Sequence, residues 1–160
     1  WGLMMTVFAL SHTAMLLAFG TSRGFGAGPL LFLVALTQFN DVAQFTWGKL
    51  TGRHKIVPKV SPKKTWEGFL GGLVTTIAAA ALAGPYLTPM DVRWSAGAGA
   101  IIALAGFIGD ITMSATKRDL GVKDMGAAIP GHGGILDRID SLIFVAPLFL
   151  RLVNSVEPLR

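Results

Sequence analysis

Five apolar stretches, at roughly residues 2–20, 29–47, 68–87, 95–113 and 135–153, each approach the ~20 residues that cross a bilayer as a helix. Few folds remain open to a chain built this way, because backbone polar groups in lipid must find partners inside the spanning structure. The expected fold is all-α, a polytopic integral membrane helix bundle with about five transmembrane helices. Composition agrees, since only 14% of the 160 residues are charged, against about 25% in an ordinary soluble domain. A single membrane-embedded domain over residues 1–160 is the expected organisation. Trp1 as first residue, and the lack of a basic segment ahead of the first apolar stretch, point to a piece of a longer protein with further spans upstream.

The connections differ sharply in charge. Residues 48–67 hold Lys49, Arg53, Lys55, Lys59, Lys63 and Lys64, and residues 114–140 hold Lys117, Arg118, Lys123 and Arg138. The other two connections carry one arginine each, Arg23 and Arg93. The positive-inside rule therefore puts the two basic segments in the cytoplasm. The net charge of +5 then reports topology and anionic substrates or lipids, and nucleic acid is not expected as a partner. Cysteine is absent, which excludes a disulfide framework and a thiolate metal site.

That topology gathers the acids. Asp41 lies near the cytoplasmic end of the second stretch and Asp110 near that of the fourth, while Asp137 and Asp140 open the fifth from the same side. At ~1.5 Å per residue all four fall within about 10 Å of one interface. Asp137 and Asp140, three apart, share a helix face. Embedded acids are expensive near lipid and mark functional sites. Oxygen ligands without cysteine favour a hard cation, Mg²⁺ or Mn²⁺ rather than Zn²⁺.

Two segments look built for phosphate. The turn Pro130-Gly131-His132-Gly133-Gly134 runs straight into the fifth stretch. A helix N-terminus there would offer free N–H groups and a positive dipole end. Lys117, Arg118, Lys123 and Arg138 surround it in sequence. In the other basic segment, Ser61, Lys63, Lys64 and Thr65 supply hydroxyl and ammonium donors. Pro62 is expected to stop regular structure there, Trp66 suits the interfacial belt, and Glu67 is expected to pair with a lysine. The glycines of the third and fourth stretches, among them Gly68, Gly71, Gly72, Gly97, Gly99, Gly106 and Gly109, read as helix-packing positions.

Taken in order, Ser114, Lys117-Arg118, Lys123-Asp124, Pro130-Gly131-His132-Gly133-Gly134 and Asp137-Arg138-Ile139-Asp140 resemble the signature of the phosphatidate cytidylyltransferases, or CDP-diacylglycerol synthases. Upstream, Asp41, Gly48-Lys49, the run Ser61-Pro62-Lys63-Lys64-Thr65-Trp66-Glu67-Gly68, and Gly109-Asp110 fit the same family. The resemblance covers residues 38–147. It implies an integral membrane nucleotidyltransferase of phospholipid biosynthesis, in the bacterial cytoplasmic (inner) membrane with its active site facing the cytoplasm. CTP and a phosphatidate lipid would be the substrates, Mg²⁺ the cofactor with room for a second cation, and a homodimer is compatible with it.

The resemblance also implies roles. Asp110 and Asp137 would hold the metal, with Asp140, Asp124 and Asp41 as further ligands. Lys64, Lys117, Arg118, Lys123 and Arg138 would hold phosphates, Ser61, Lys63, Thr65 and Ser114 would assist substrate binding, and His132 would bond the pyrophosphate. The motif reads phosphate and not lipid tails, so the same chemistry on another lipid phosphate, such as an isoprenoid-ether lipid, stays open. A membrane ion or phosphate transporter is the alternative from another class. Acids near one interface, and not at the midplane, weigh against it.

Overall fold

The computed structural model describes residues 2–22, 24–122 and 136–156, the side chains of residues 2–6, 9, 10 and 136–140 excepted. Five helices account for the apolar stretches: α1 (Gly2–Ser22), α2 (Gly28–Thr51), α3 (Trp66–Leu87), α4 (Val92–Asp119) and α5 (Leu136–Val156). Between α2 and α3 lie two short strands, β1 (Lys55–Val57) and β2 (Ser61–Thr65). The helices pack in sequence, α2 on α3, α3 on α4 and α4 on α5, and α5 returns against α1. Among the described residues, α3 and α4 are long and apolar enough to cross a membrane. Large apolar side chains such as Leu70, Val74, Leu82, Leu104 and Ile108 are exposed on their outer faces, which fits a lipid environment better than water.

The helical expectation holds for the bundle, and a short hairpin is added to it between α2 and α3. β1 and β2 pair antiparallel, Lys55 with Thr65 and Val57 with Ser61, with an irregularity between the two rungs. The chain reverses through Pro58 and Lys59, closed by the Val60 N–H donating to the Val57 carbonyl at 3.1 Å. Ile56, Val57 and Val60 supply the β-branched residues that suit a pleated surface. Pro62 was expected to break regular structure, yet it lies inside β2. A two-stranded ladder leaves each strand one open edge, and a proline is tolerated there. β2 ends at Thr65 and α3 starts at Trp66, so no linker separates strand from helix. Thr65 is the N-cap of α3, its hydroxyl accepting from the Gly68 N–H at 3.2 Å.

Helix α4 also runs further than its apolar stretch suggests. Ser114, Lys117 and Arg118, expected in a connecting segment, stand on its last turns. Nothing in residues 114–119 breaks a helix. The end comes at Gly121, whose φ of +70° is a conformation glycine adopts without strain. Its N–H donates to the Arg118 carbonyl and that of Val122 to the Lys117 carbonyl, both at 3.0 Å. This is the Schellman closure of a helix C-terminus.

The apolar core sits at the end of the bundle away from the hairpin. Leu16, Phe32, Leu33, Ile102, Val145, Phe149 and Val153 are fully buried there. The Phe32 and Phe149 rings stack at 5.5 Å. Toward the hairpin, α2 and α3 approach through glycine. A Cβ at Gly68 would lie 2.7 Å from the Gln44 carbonyl oxygen and 2.9 Å from the Gly48 Cα, and one at Gly71 or Gly72 would overlap Trp47 or Gln44. The packing reading of these glycines is correct, whereas Gly97 faces open space.

Candidate active site

Close approach of α2 and α3 sets the hairpin in place. Thr65 nestles over Gly52, where a Cβ would come within 2.7 Å of its hydroxyl. β2 is thereby laid across the gap between α2 and α4. Together they enclose a pocket of about 200 Å³, with Asp41 and Gln44 from α2, Ser61, Lys63, Lys64 and Thr65 from β2, and Phe107 and Asp110 from α4 on its walls.

At its centre the Lys64 ammonium meets Asp110 Oδ2 at 2.5 Å. Lys64 is 16% exposed and Asp110 30%, so the pair is shielded from solvent yet reachable from the pocket. The ammonium also lies 4.8 Å from the centroid of the Phe107 ring, a cation–π placement. Phe69 of α3 backs that ring at 4.4 Å. One face of α4 carries the set, since Phe107, Asp110 and Ser114 are spaced three and four apart. The Ser114 hydroxyl donates to Asp110 Oδ1 at 3.3 Å, so both carboxylate oxygens are engaged.

Asp41 lines the opposite wall, and Ser141 near the start of α5 donates to its Oδ2 at 3.4 Å. The beginning of α5 is therefore beside α2 at the depth of the pocket. One residue before Asp41, the fully buried Asn40 accepts from Gln44 at 3.1 Å and from Thr76 of α3 at 3.2 Å. This polar knot fixes Gln44 at the pocket floor.

Of the residues singled out in the sequence, Asp41, Asp110, Ser61, Lys63, Lys64 and Thr65 thus share one pocket, and Ser114 adjoins it. Lys117 and Arg118 lie beyond it on the last turns of α4, where Arg118 donates to the Val122 carbonyl at 3.4 Å. Lys123, Asp124 and His132 lie outside the described residues, as do the side chains of Asp137, Arg138 and Asp140, whose backbone forms the opening of α5. Among the described residues no three acids or histidines gather into a metal-binding group. Asp41 and Asp110 are an oxygen-only pair, and a cation, the Lys64 ammonium, already sits on one of them. That donor chemistry fits a hard divalent ion, with a further carboxylate needed to complete it.

Three features escaped the sequence reading. Gln44 and Phe107, at three-residue spacing from Asp41 and Asp110, could have been found by projecting each acid onto its helix face. Glu67 does not pair with a lysine; its carboxylate meets His54 Nδ1 at 2.6 Å and the backbone N–H groups of Arg53 and His54. Only the turn geometry of the hairpin brings those residues together.

A helical bundle with an acid–ammonium pocket roofed by a basic hairpin is thus the class of molecule. The profile of the Cytidylyltransferase family matches residues 1–156, and the chain belongs to that family. It is 56% identical over 155 residues, 96% of its length and 52% of the relative's, to a protein of Escherichia coli (strain K12) named Uncharacterized protein YnbB. It is 42% identical over 140 residues to the phosphatidate cytidylyltransferase of Staphylococcus aureus (strain COL), covering 86% of this chain and 54% of that one. To the phosphatidate cytidylyltransferase of Mycobacterium bovis it is 37% identical over 141 residues, covering 86% of this chain and 46% of that one. The chain spans about half the length of the curated relatives it matches.

Proposed function

We propose that the protein containing this chain transfers a cytidylyl group from CTP to phosphatidate, giving CDP-diacylglycerol and pyrophosphate. The observation that carries the reading is the Lys64–Asp110 pair, a shielded ammonium and carboxylate in one pocket, in a chain of the cytidylyltransferase family. The names of the Staphylococcus and Mycobacterium relatives support the lipid substrate.

In this reaction a phosphate oxygen of the lipid attacks the α-phosphorus of CTP. A new P–O bond forms, the bond to the β-phosphate oxygen breaks, and pyrophosphate leaves. No protein nucleophile is required, so the protein's work is positioning and charge stabilisation. Lys64 holds a phosphate of the nucleotide, and Asp110 with Phe107 keeps its ammonium extended into the pocket. Ser61, Lys63, Thr65 and Ser114 add donors around it. Lys117, Arg118, Lys123 and Arg138 grip the remaining phosphates, arginine in bidentate fashion, and His132 hydrogen-bonds pyrophosphate. Mg²⁺ would be held by Asp110 and Asp137, with Asp41, Asp124 and Asp140 as further ligands and room for a second cation, and when bound it neutralises phosphate charge.

The same reading has five helices spanning the bacterial inner membrane, with the pocket on the cytoplasmic side. Supporting it, the 22 residues of α3 measure about 33 Å at ~1.5 Å each, close to the hydrocarbon thickness of a bilayer. Exposed aromatic residues stand at both ends, Trp47 and Trp66 by the hairpin and Tyr86 and Trp94 opposite, as an interfacial belt requires. CTP then reaches the pocket from water and the lipid from the side.

The test is incorporation of labelled CTP into lipid by the full-length protein in detergent, with phosphatidate supplied. Incorporation should require Mg²⁺ and stop on chelation. Incorporation that is absent with phosphatidate, or that ignores chelation, would sink the proposal.

A further inference from the structure

We infer that Glu67 is a positioning residue for Lys64, acting through the base of the hairpin; this rests on the reading of the pocket as a nucleotide site. Glu67 is the sole acid between Asp41 and Asp91, in the most basic stretch of the chain. Its carboxylate reaches back across 13–14 residues to the start of the hairpin. Oε2 accepts from the backbone N–H of Arg53 at 3.1 Å and of His54 at 3.2 Å, and Oε1 accepts from His54 Nδ1 at 2.6 Å. The neighbouring Trp66 N–H donates to the His54 carbonyl at 2.9 Å. The residues entering β1 are thus tied by side chain and backbone to the first turn of α3.

The consequence falls on Lys64. It sits three residues before Glu67, on the strand whose last rung pairs Thr65 with Lys55. A two-stranded hairpin is marginal alone, and this ladder is irregular after its first rung. The carboxylate clamp at its base therefore joins the seat of Thr65 over Gly52 in holding it across the pocket mouth. The residue type follows from the donors. A carboxylate has two oxygens, each able to accept more than once, whereas an amide keeps a single acceptor. The clamp also sets a negative charge beside Arg53 and His54 at the positive N-terminal end of α3.

Two readouts test this on the full-length protein. The first is steady-state kinetics of Glu67→Ala, Glu67→Gln and Lys64→Ala. We expect Glu67→Ala to raise the KM for CTP about tenfold with kcat little changed, the size expected for charge-assisted hydrogen bonds, and Glu67→Gln to fall between it and the parent. In the Glu67→Ala/Lys64→Ala pair the two effects should not add, because the clamp acts through the lysine. Additive effects would overturn the inference. The second is a nitroxide at Pro58→Cys, on the exposed hairpin tip, in a background free of other cysteines. Its spectrum should sharpen in Glu67→Ala and, to a lesser degree, in Glu67→Gln; unchanged mobility in both overturns the clamp. This readout needs no turnover. Loosening of the hairpin in a protein that never incorporates CTP would leave the clamp standing and remove the nucleotide reading. An active parent whose tip mobility is unchanged by both Glu67 substitutions would do the reverse.

Discussion

At the end of the bundle away from the hairpin, Phe32, Ile102 and Phe149 are fully buried in a core of mostly apolar side chains; at the hairpin end, α2 and α3 meet over Gly68, Gly71 and Gly72, and Lys64, Asp41 and Asp110 face a pocket. One end gains stability by filling space with large side chains. Glycine brings helices together at both ends, at Gly28 and Gly84 as at Gly68 and Gly72, and the hairpin end adds a pocket lined by charged side chains. The contrast assigns the work. The apolar end is scaffold, and its residues should report on stability. The hairpin end holds charge where burial would be cheaper, and its residues should report on chemistry.

Substitutions can break that division. Asp110→Asn should have the largest effect, lowering Mg²⁺-dependent incorporation of labelled CTP by about 10³-fold, the scale of losing a main charge-stabilising group. Its thermal unfolding in detergent should stay near that of the parent. If activity survives, Asp110 is scaffold and the contrast fails. Phe149→Ala should do the opposite, costing about 3 kcal/mol of stability by the cavity it leaves, with the KM for CTP unchanged in the fraction that remains folded. Lys64→Ala comes next, with a KM for CTP raised about tenfold or more as a charged hydrogen bond is lost; an unmoved KM would take the hairpin out of the site.

The smallest effect sharpens the comparison within α4 alone. A Cβ at Gly99 would lie 2.6 Å from the Ala80 Cβ and 3.0 Å from α3 backbone, whereas one at Gly106 meets nothing nearer than 3.6 Å. Gly99→Ala should destabilise by about 1–3 kcal/mol through overpacking. Gly106→Ala should be neutral or stabilising by up to about 1 kcal/mol, since alanine favours the helix. Thermal melts of the two side by side decide whether glycine packing is confined to the α3 seams.

The five helices were legible in sequence because length and continuous apolarity dominate everything else in such a stretch. Helix ends were less so. Nothing apolar marks residues 114–119, and the signal that ends α4 is a single glycine at 121. The hairpin was hidden because its β-branched residues, Ile56, Val57 and Val60, are interleaved with lysines and prolines that read as loop. The meeting of Lys64 and Asp110 was legible only as a convergence of opposite charges on one side of the bundle. Which lysine, and which face of α4, depended on Thr65 settling over Gly52. The partner of Glu67 was misread because its donors are mostly backbone, and no residue type announces those.

The absence of any linker between Thr65 and Trp66 has a bearing on which sequence changes this region can absorb. Side chains alternate faces along a strand, so shifting the register by one residue turns each to the other side. The helix beyond cannot absorb the shift, because it is pinned against α2. Relatives should therefore vary in length at the Pro58–Lys59 turn, while insertions and deletions between Lys64 and Gly68 should be absent. The spacing there is inherited together with the residues, because the strand hands Lys64 directly to a helix that cannot shift.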